Sequence, residues 1–193
     1  MIRGYKKGSF CIALGLVLTV SAFLLAGYND MLGRKAEKNS ENILRELVQS
    51  YDTSSNIQNE DMEMPVKSID GYDCIGTIEI PSLRVILPVL SEWDYNNFRI
   101  SPCRYTGSVY QDNLIICAHN YKSHFGRIKA LEVGDLVTFT DMNGNVFRFK
   151  VSDIETVNPD FPENMTDGTW DLTLFTCTVS GASRVTVRCV RER

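Results

Sequence analysis

The pattern of apolar and polar positions divides the chain into a wholly apolar opening run, an amphipathic stretch, a polar stretch, and a series of short alternating runs. Residues 8–29 contain no charged side chain. Residues 9–28 are about the length that a helix needs to cross a hydrocarbon core of roughly 30 Å. Arg3, Lys6 and Lys7 precede the run, so the positive-inside rule predicts a single-pass signal anchor with residues 1–7 in the cytoplasm and the remainder outside. A cleaved signal peptide is the rival reading. Cleavage near Val20-Ser21-Ala22 would leave Phe23-Leu24-Leu25-Ala26 exposed on the mature end, which favours the anchor. A lipoprotein fits less well, because Leu25-Ala26-Gly27 is followed by Tyr28 where a lipid-bearing cysteine would stand.

From residue 35 to 51, Ile43, Leu44, Leu47, Val48 and Tyr51 recur at helical spacing among Glu, Lys and Arg. That predicts an amphipathic helix, a stalk or a helix packed on the domain. Residues 52–70 are rich in Ser, Asn, Asp and Glu and read as a flexible linker. The expected organisation is therefore an N-terminus over 1–7, an anchor over 8–29, a helix and linker over 30–71, and a folded domain over 72–193.

Beyond residue 72 the period becomes that of strands. Candidate strands occupy residues 74–80, 84–90, 113–118, 136–141, 145–155, 172–176 and 183–190. Asn143-Gly144 between Val137/Phe139 and Phe147/Phe149/Val151 is a hairpin turn signal. Short helical pieces are expected at 95–100 and 125–131. Seven or eight short strands at such spacing predict a mainly β domain closed, or nearly closed, into a barrel.

Composition narrows the function classes. A chain of 193 residues with 44% hydrophobic content can bury one core beside an anchor. The formal net charge of -4, with no basic stripe carrying interleaved aromatics, points away from nucleic acid.

The chemistry concentrates near the C-terminus. Cys177 closes one predicted strand and Arg184 opens the next, with six residues between them, so antiparallel pairing sets them nearly opposite. A nearby guanidinium favours a nucleophilic thiolate and can hold a developing oxyanion. Arg188 shares that strand face about 13 Å further along, at roughly 3.3 Å per residue, and reads as a solvated or ion-paired residue. The base must come from His119 or His124. His119 follows the apolar run Leu114-Ile115-Ile116-Cys117-Ala118 and so stands at a strand end, whereas His124 reads as a loop residue near the mouth.

Thr173-Leu174-Phe175-Thr176-Cys177, then Arg184 on the next strand, with Ala118-His119-Asn120 upstream, resembles the sortases, cysteine transpeptidases of the Gram-positive cell surface. Ile75-Gly76-Thr77-Ile78-Glu79-Ile80-Pro81 is similar to that family's opening strand. The resemblance covers residues 72–193 and implies an eight-stranded barrel with its active site at one end of the strands. It implies that Cys177 attacks the Thr-Gly carbonyl of a Leu-Pro-x-Thr-Gly-like sorting signal on a secreted protein, forming a thioacyl enzyme. His119 would serve as acid and base, Arg184 would bind the oxyanion or substrate backbone, and Thr176 would add a substrate contact. The acceptor would be a cell-wall precursor or a pilin amine. A pilin-polymerising member would carry an N-terminal lid with an Asp-Pro-aromatic motif and a C-terminal membrane segment. Neither stands in this sequence, so anchoring is expected over pilus assembly.

Two alternatives stay open: another cysteine peptidase, and a membrane-tethered barrel that only binds. Among the six cysteines, Cys11 lies in the anchor, and Cys74, Cys103, Cys117 and Cys189 are read as buried thiols rather than disulfides. Metal binding by Cys117, His119, His124 and Cys177 lacks the spacing of a zinc site, so no metal and no cofactor are expected.

Overall fold

A computed structural model describes residues 3–50, 63–158, 160, 163–166 and 169–192, and the chain divides into two compact units, residues 1–35 and 36–193. Helix α1 (Arg3–Gln49) runs through the boundary. In the first unit its residues 8–31 are exposed throughout, and among the described residues this is the one helix long and apolar enough to cross a membrane. The predicted anchor and amphipathic stretch are thus a single uninterrupted helix. Tyr51 and residues 52–62 of the predicted linker lie outside the described residues.

In the second unit, residues 36–49 of α1 bury Ala36, Ser40, Ile43 and Leu47. That spacing of four, three and four keeps them on one stripe. Val48, expected on the apolar face, is 56% exposed, because the stripe is too narrow to include it.

Among the described residues, the rest of the unit is built on a sheet of nine strands. They are β1 (Lys67–Ile69), β2 (Tyr72–Ile80), β3 (Val85–Leu90), β4 (Cys103–Thr106), β5 (Leu114–Cys117), β6 (Leu136–Asp141), β7 (Val146–Val157), β8 (Leu172–Cys177) and β9 (Arg184–Arg191). The order is β1-β2-β3-β4-β5-β8-β9-β7-β6, and β6 pairs back onto β2. Strands β2 to β9 therefore close into the expected eight-stranded barrel, with β1 added as a short hairpin arm on β2.

Strand alternation sorts side chains onto two faces. Ile78, Phe139, Phe149, Leu114, Ile116, Leu172, Leu174 and Val187 point inward and form the barrel core. Ile115, Cys117, Cys103 and Phe175 point outward, where they join Ile43 and Leu47 of α1 in a second apolar cluster. Strand β5 is consequently buried on both faces, which explains its unbroken apolar run.

Two strands were not anticipated. The arm β1 lies in the stretch read as linker, and three residues are too short for a visible period. Strand β4 carries only Cys103, Arg104, Tyr105 and Thr106, and it is fixed by antiparallel pairing to β5 and one parallel contact with β3. The expected helix over 95–100 is one turn, α2 (Tyr95–Phe98), whose N-terminus is capped by the Asp94 carboxylate accepting from Asn96 N at 2.6 Å and Asn97 N at 3.1 Å. That expected over 125–131 is a single 3-10 turn, Ile128–Ala130. A short helix α3 (Glu163–Thr166) precedes β8. The Asn143-Gly144 turn joins β6 to β7, with Gly144 at φ +80°.

Closure depends on Gly76. It has φ +152°, and a Cβ there would overlap the Thr140 carbonyl oxygen across the β2–β6 seam. Gly76→Ala is expected to cost about 2–4 kcal/mol in urea denaturation. An unchanged midpoint would show that the seam is more pliable than its geometry implies.

Candidate active site

The site is built where β5 and β8 end side by side. These strands run parallel with Cys117 opposite Phe175. Beyond that pair the Ala118 amide donates to the Phe175 carbonyl at 3.2 Å, and the Thr176 hydroxyl donates to the Ala118 carbonyl at 2.7 Å. Thr176 is buried on the inward side, and its hydroxyl is committed to the backbone that presents His119.

Cys177, one residue on, faces outward like Phe175 and is half-buried. In the β8–β9 register it stands directly opposite Arg184, so both side chains share a face. The connecting turn is held by Thr178 N donating to Ser183 O at 2.9 Å and Gly181 N to Thr178 O at 2.8 Å. Arg184 Nη1 donates to the turn carbonyls of Gly181 at 3.1 Å and Ser183 at 3.2 Å. Its head thus rests on the hairpin's own backbone beside the sulfur-bearing strand end.

Arg188, further along the same strand face, is 3% exposed and spoken for. Its Nε pairs with Glu155 at 2.8 Å, and Nη1 donates to the Met165 carbonyl at 2.9 Å and to Thr173 Oγ1 at 3.2 Å. It is an ion-paired strand residue, as expected.

His119 is enclosed by two rings. Phe98 of α2 lies 4.3 Å away between centroids, and Tyr121 stacks at 4.6 Å with 18° between planes. Burial, and then the nearby Arg99 charge, lower the His119 pKa from its ordinary value and favour the neutral imidazole. The following loop turns back sharply, with Phe125 N donating to His119 O at 3.1 Å and Gly126 N to Tyr121 O at 2.9 Å.

His124 is not a mouth residue. It is fully buried, and its Nε2 meets Ser40 Oγ of α1 at 3.2 Å. Desolvation, and then the neighbouring His119, pull its pKa down from 6.5 to about 4. A lone histidine after a short polar loop gave no sign of this, because the covering residues come from α1.

The cysteines divide by environment. Cys74, Cys103, Cys117 and Cys189 are buried, unbridged thiols, and burial pushes Cys74, Cys117 and Cys189 up to about 12 and Cys103 upward as well. Thiols so shifted are inert at neutral pH. Among the described residues, no group of three or more His, Cys, Asp or Glu side chains is placed to hold a metal ion.

The half-buried thiol, the opposed arginine and the ring-enclosed histidine stand at neighbouring strand ends of this barrel. Residues 78–192, more than half the chain, match the sortase domain family model. The chain belongs to the sortase family. Sortase A of Bacillus anthracis is 28% identical over 179 residues, covering 85% of each chain. Among solved structures, a Clostridium perfringens sortase D5 transpeptidase superposes with TM-score 0.61 at 19% identity, over 83% of this chain and 99% of its own. A Clostridium perfringens sortase C solved with the C-terminal cell wall sorting motif gives 0.57 at 23% identity, over 92% and 99%. This sortase is thus a member of a transpeptidase family whose barrel it reproduces.

Sequence reasoning missed Phe98, Tyr121 and Arg99 as neighbours of His119. Tyr121 was visible two positions on, but Phe98 and Arg99 arrive from a one-turn helix whose packing no local pattern encodes.

The lowered histidine pKa values predict the pH dependence of stability. Between pH 6.5 and about 4 the unfolded chain binds a proton at residue 124 that the folded chain refuses, and His119 acts in the same direction. Stability from this source is therefore complete above pH 6.5 and is lost as pH falls towards 4. Urea midpoints of wild type should drop over that window more steeply than those of His124→Gln. Parallel curves would contradict the assignment.

Proposed function

We propose that this sortase cleaves a Leu-Pro-x-Thr-Gly-like sorting signal through Cys177 and joins the carboxyl side of the cut to an amine. The observation that carries the reading is the register of β8 and β9, which sets Cys177 opposite Arg184, together with the β5–β8 pairing that brings His119 to the same rim.

In the first half-reaction, the neutral His119 imidazole takes the Cys177 thiol proton as the sulfur attacks the Thr-Gly carbonyl carbon. The C–N bond then breaks, the imidazolium returns its proton to the departing glycine amine, and a thioester remains on Cys177. Burial and Arg99 disfavour the imidazolium, which speeds that return. In the second half-reaction His119 removes a proton from an incoming amine as it attacks the thioester. The sulfur leaves, and the proton restores the thiol. Arg184 exchanges its contacts with the Gly181 and Ser183 carbonyls for the tetrahedral oxyanion or the substrate backbone. Thr176 contributes by holding the Ala118 carbonyl, and with it the strand end carrying His119.

The acceptor is a cell-wall precursor or pilin amine, and the donor a secreted protein with a C-terminal sorting signal. Residues 8–29 anchor the enzyme in the plasma membrane as a single pass. Arg3, Lys6 and Lys7 remain cytoplasmic and the catalytic domain stands outside.

The test is mass spectrometry and turnover of the detergent-solubilised full chain with a library of Leu-Pro-x-Thr-Gly peptides and triglycine as the amine. Wild type should form an acyl adduct on the Cys177 peptide. Cys177→Ala should abolish transfer, His119→Gln should lower it about 10²–10⁴-fold, and Arg184→Ala about 10²-fold. Unchanged transfer in Cys177→Ala, or no adduct with any library member, would overturn the reading.

A further inference from the structure

Ser40 is the one polar residue on the buried stripe of α1, between Ala36 and the pair Ile43 and Leu47, and it is 2% exposed. A serine there gives up the apolar contact that an alanine or leucine would make. Its hydroxyl lies 2.8 Å from the Ile100 carbonyl, 3.1 Å from Ser101 Oγ and 3.2 Å from His124 Nε2.

The protons assign the directions. Ser101 spends its own on the Pro88 carbonyl at 2.8 Å. Ser40 has one, and its shortest contact is the Ile100 carbonyl, an acceptor only. His124 Nε2 must then be the donor to Ser40. The low pKa of His124 agrees, since a neutral ring carries one N–H. The other nitrogen, Nδ1, is buried with no partner among the described residues. A buried imidazole left half-satisfied loses stability. A leucine at 124 would carry no such loss, so the ring serves something besides stability.

Both segments that meet at Ser40 lead directly to His119. Ile100 lies two residues after Phe98, which covers one face of the His119 ring at 4.3 Å. His124 closes the loop containing Tyr121, which covers the ring at 4.6 Å. The His124 amide donates to the Tyr121 carbonyl at 3.0 Å, and the two rings stand 5.7 Å apart. Each ring of the enclosure is thus fastened within a few residues to one hydroxyl on a different element.

We propose that Ser40 is a positioning residue for His119: through Ile100 and His124 it holds together the Phe98 and Tyr121 rings that fix the imidazole's orientation and keep water from it. The inference rests on the reading of His119 as the acid and base. It assigns residues 36–49 of α1 a part in catalysis rather than in domain support alone. Charged or titratable groups about His119 are Arg99 on the segment after α2, and His124 and Tyr121 on its own loop. Ser40 itself carries no charge.

The test uses the full chain in detergent with its two histidine rings labelled for NMR, His119 being assigned by its absence in His119→Gln. Ser40→Ala should admit water and move the His119 titration midpoint upward. It should lower kcat about tenfold with KM within about twofold, while Ser40→Thr, which keeps the hydroxyl, restores both. Ile43→Val on the same stripe removes packing alone and should leave the His119 midpoint in place. If Ser40→Ala does not fold, His124→Phe, which keeps a ring but no donor, should produce the same midpoint shift. The inference is overturned if the foldable variant leaves the midpoint and kcat at wild-type values, or if Ile43→Val moves them equally. Turnover of Cys177→Ala is measured in parallel. Its persistence would refute the catalytic reading, whereas the NMR midpoints report on the positioning contact whether or not transfer occurs.

Discussion

The parallel pairing of β5 with β8 is the contact on which the rest depends. Leu114 through Cys117 stand opposite Leu172 through Phe175. Without this seam, the hairpin bearing Cys177 and Arg184 would have no fixed relation to His119. Parallel neighbours cannot be joined by a short turn, and here β6, β7 and α3 intervene in the chain. The seam is held by burial on both faces: Leu114, Ile116, Leu172 and Leu174 in the barrel, and Ile115, Cys117 and Phe175 under α1. Its last two hydrogen bonds, at Ala118, lie one residue from His119.

One side of the seam thus supports the fold and the other the site. Inward-facing Thr176 secures the strand end, and outward-facing Cys177 presents its half-buried sulfur on the face that carries Phe175. The barrel's other thiols are held protonated by burial. Burial separates the half-buried Cys177 from these cysteines more than place along a strand does, since Cys103 and Cys117 also stand at strand ends.

The parts of the site that could be read in the chain were those with a local cause. Cys177 and Arg184 are opposed because a short turn and strand alternation leave little choice, and the actual register agrees. His119 was placed by the apolar run before it. Strand β4 was not legible, because four residues with Arg and Tyr among them acquire their strand character from β5. The surroundings of His119 were equally hidden. Phe98, Arg99, Ser40 and His124 converge through tertiary packing, and each reads alone as an ordinary helix or loop residue. The expectation that His124 lies near the mouth failed for the same reason: a helix stripe distant in sequence covers it.

The central claim is that an imidazole from one strand end and a thiol from another act on each other. It is tested most directly by the rate of iodoacetamide alkylation at the Cys177 peptide, followed by mass spectrometry from pH 4 to 10 in the full chain and in His119→Gln. If the two groups are coupled, the variant's rate profile will differ in shape from wild type across the range where His119 titrates. Superimposable profiles would mean that the histidine and the sulfur do not meet.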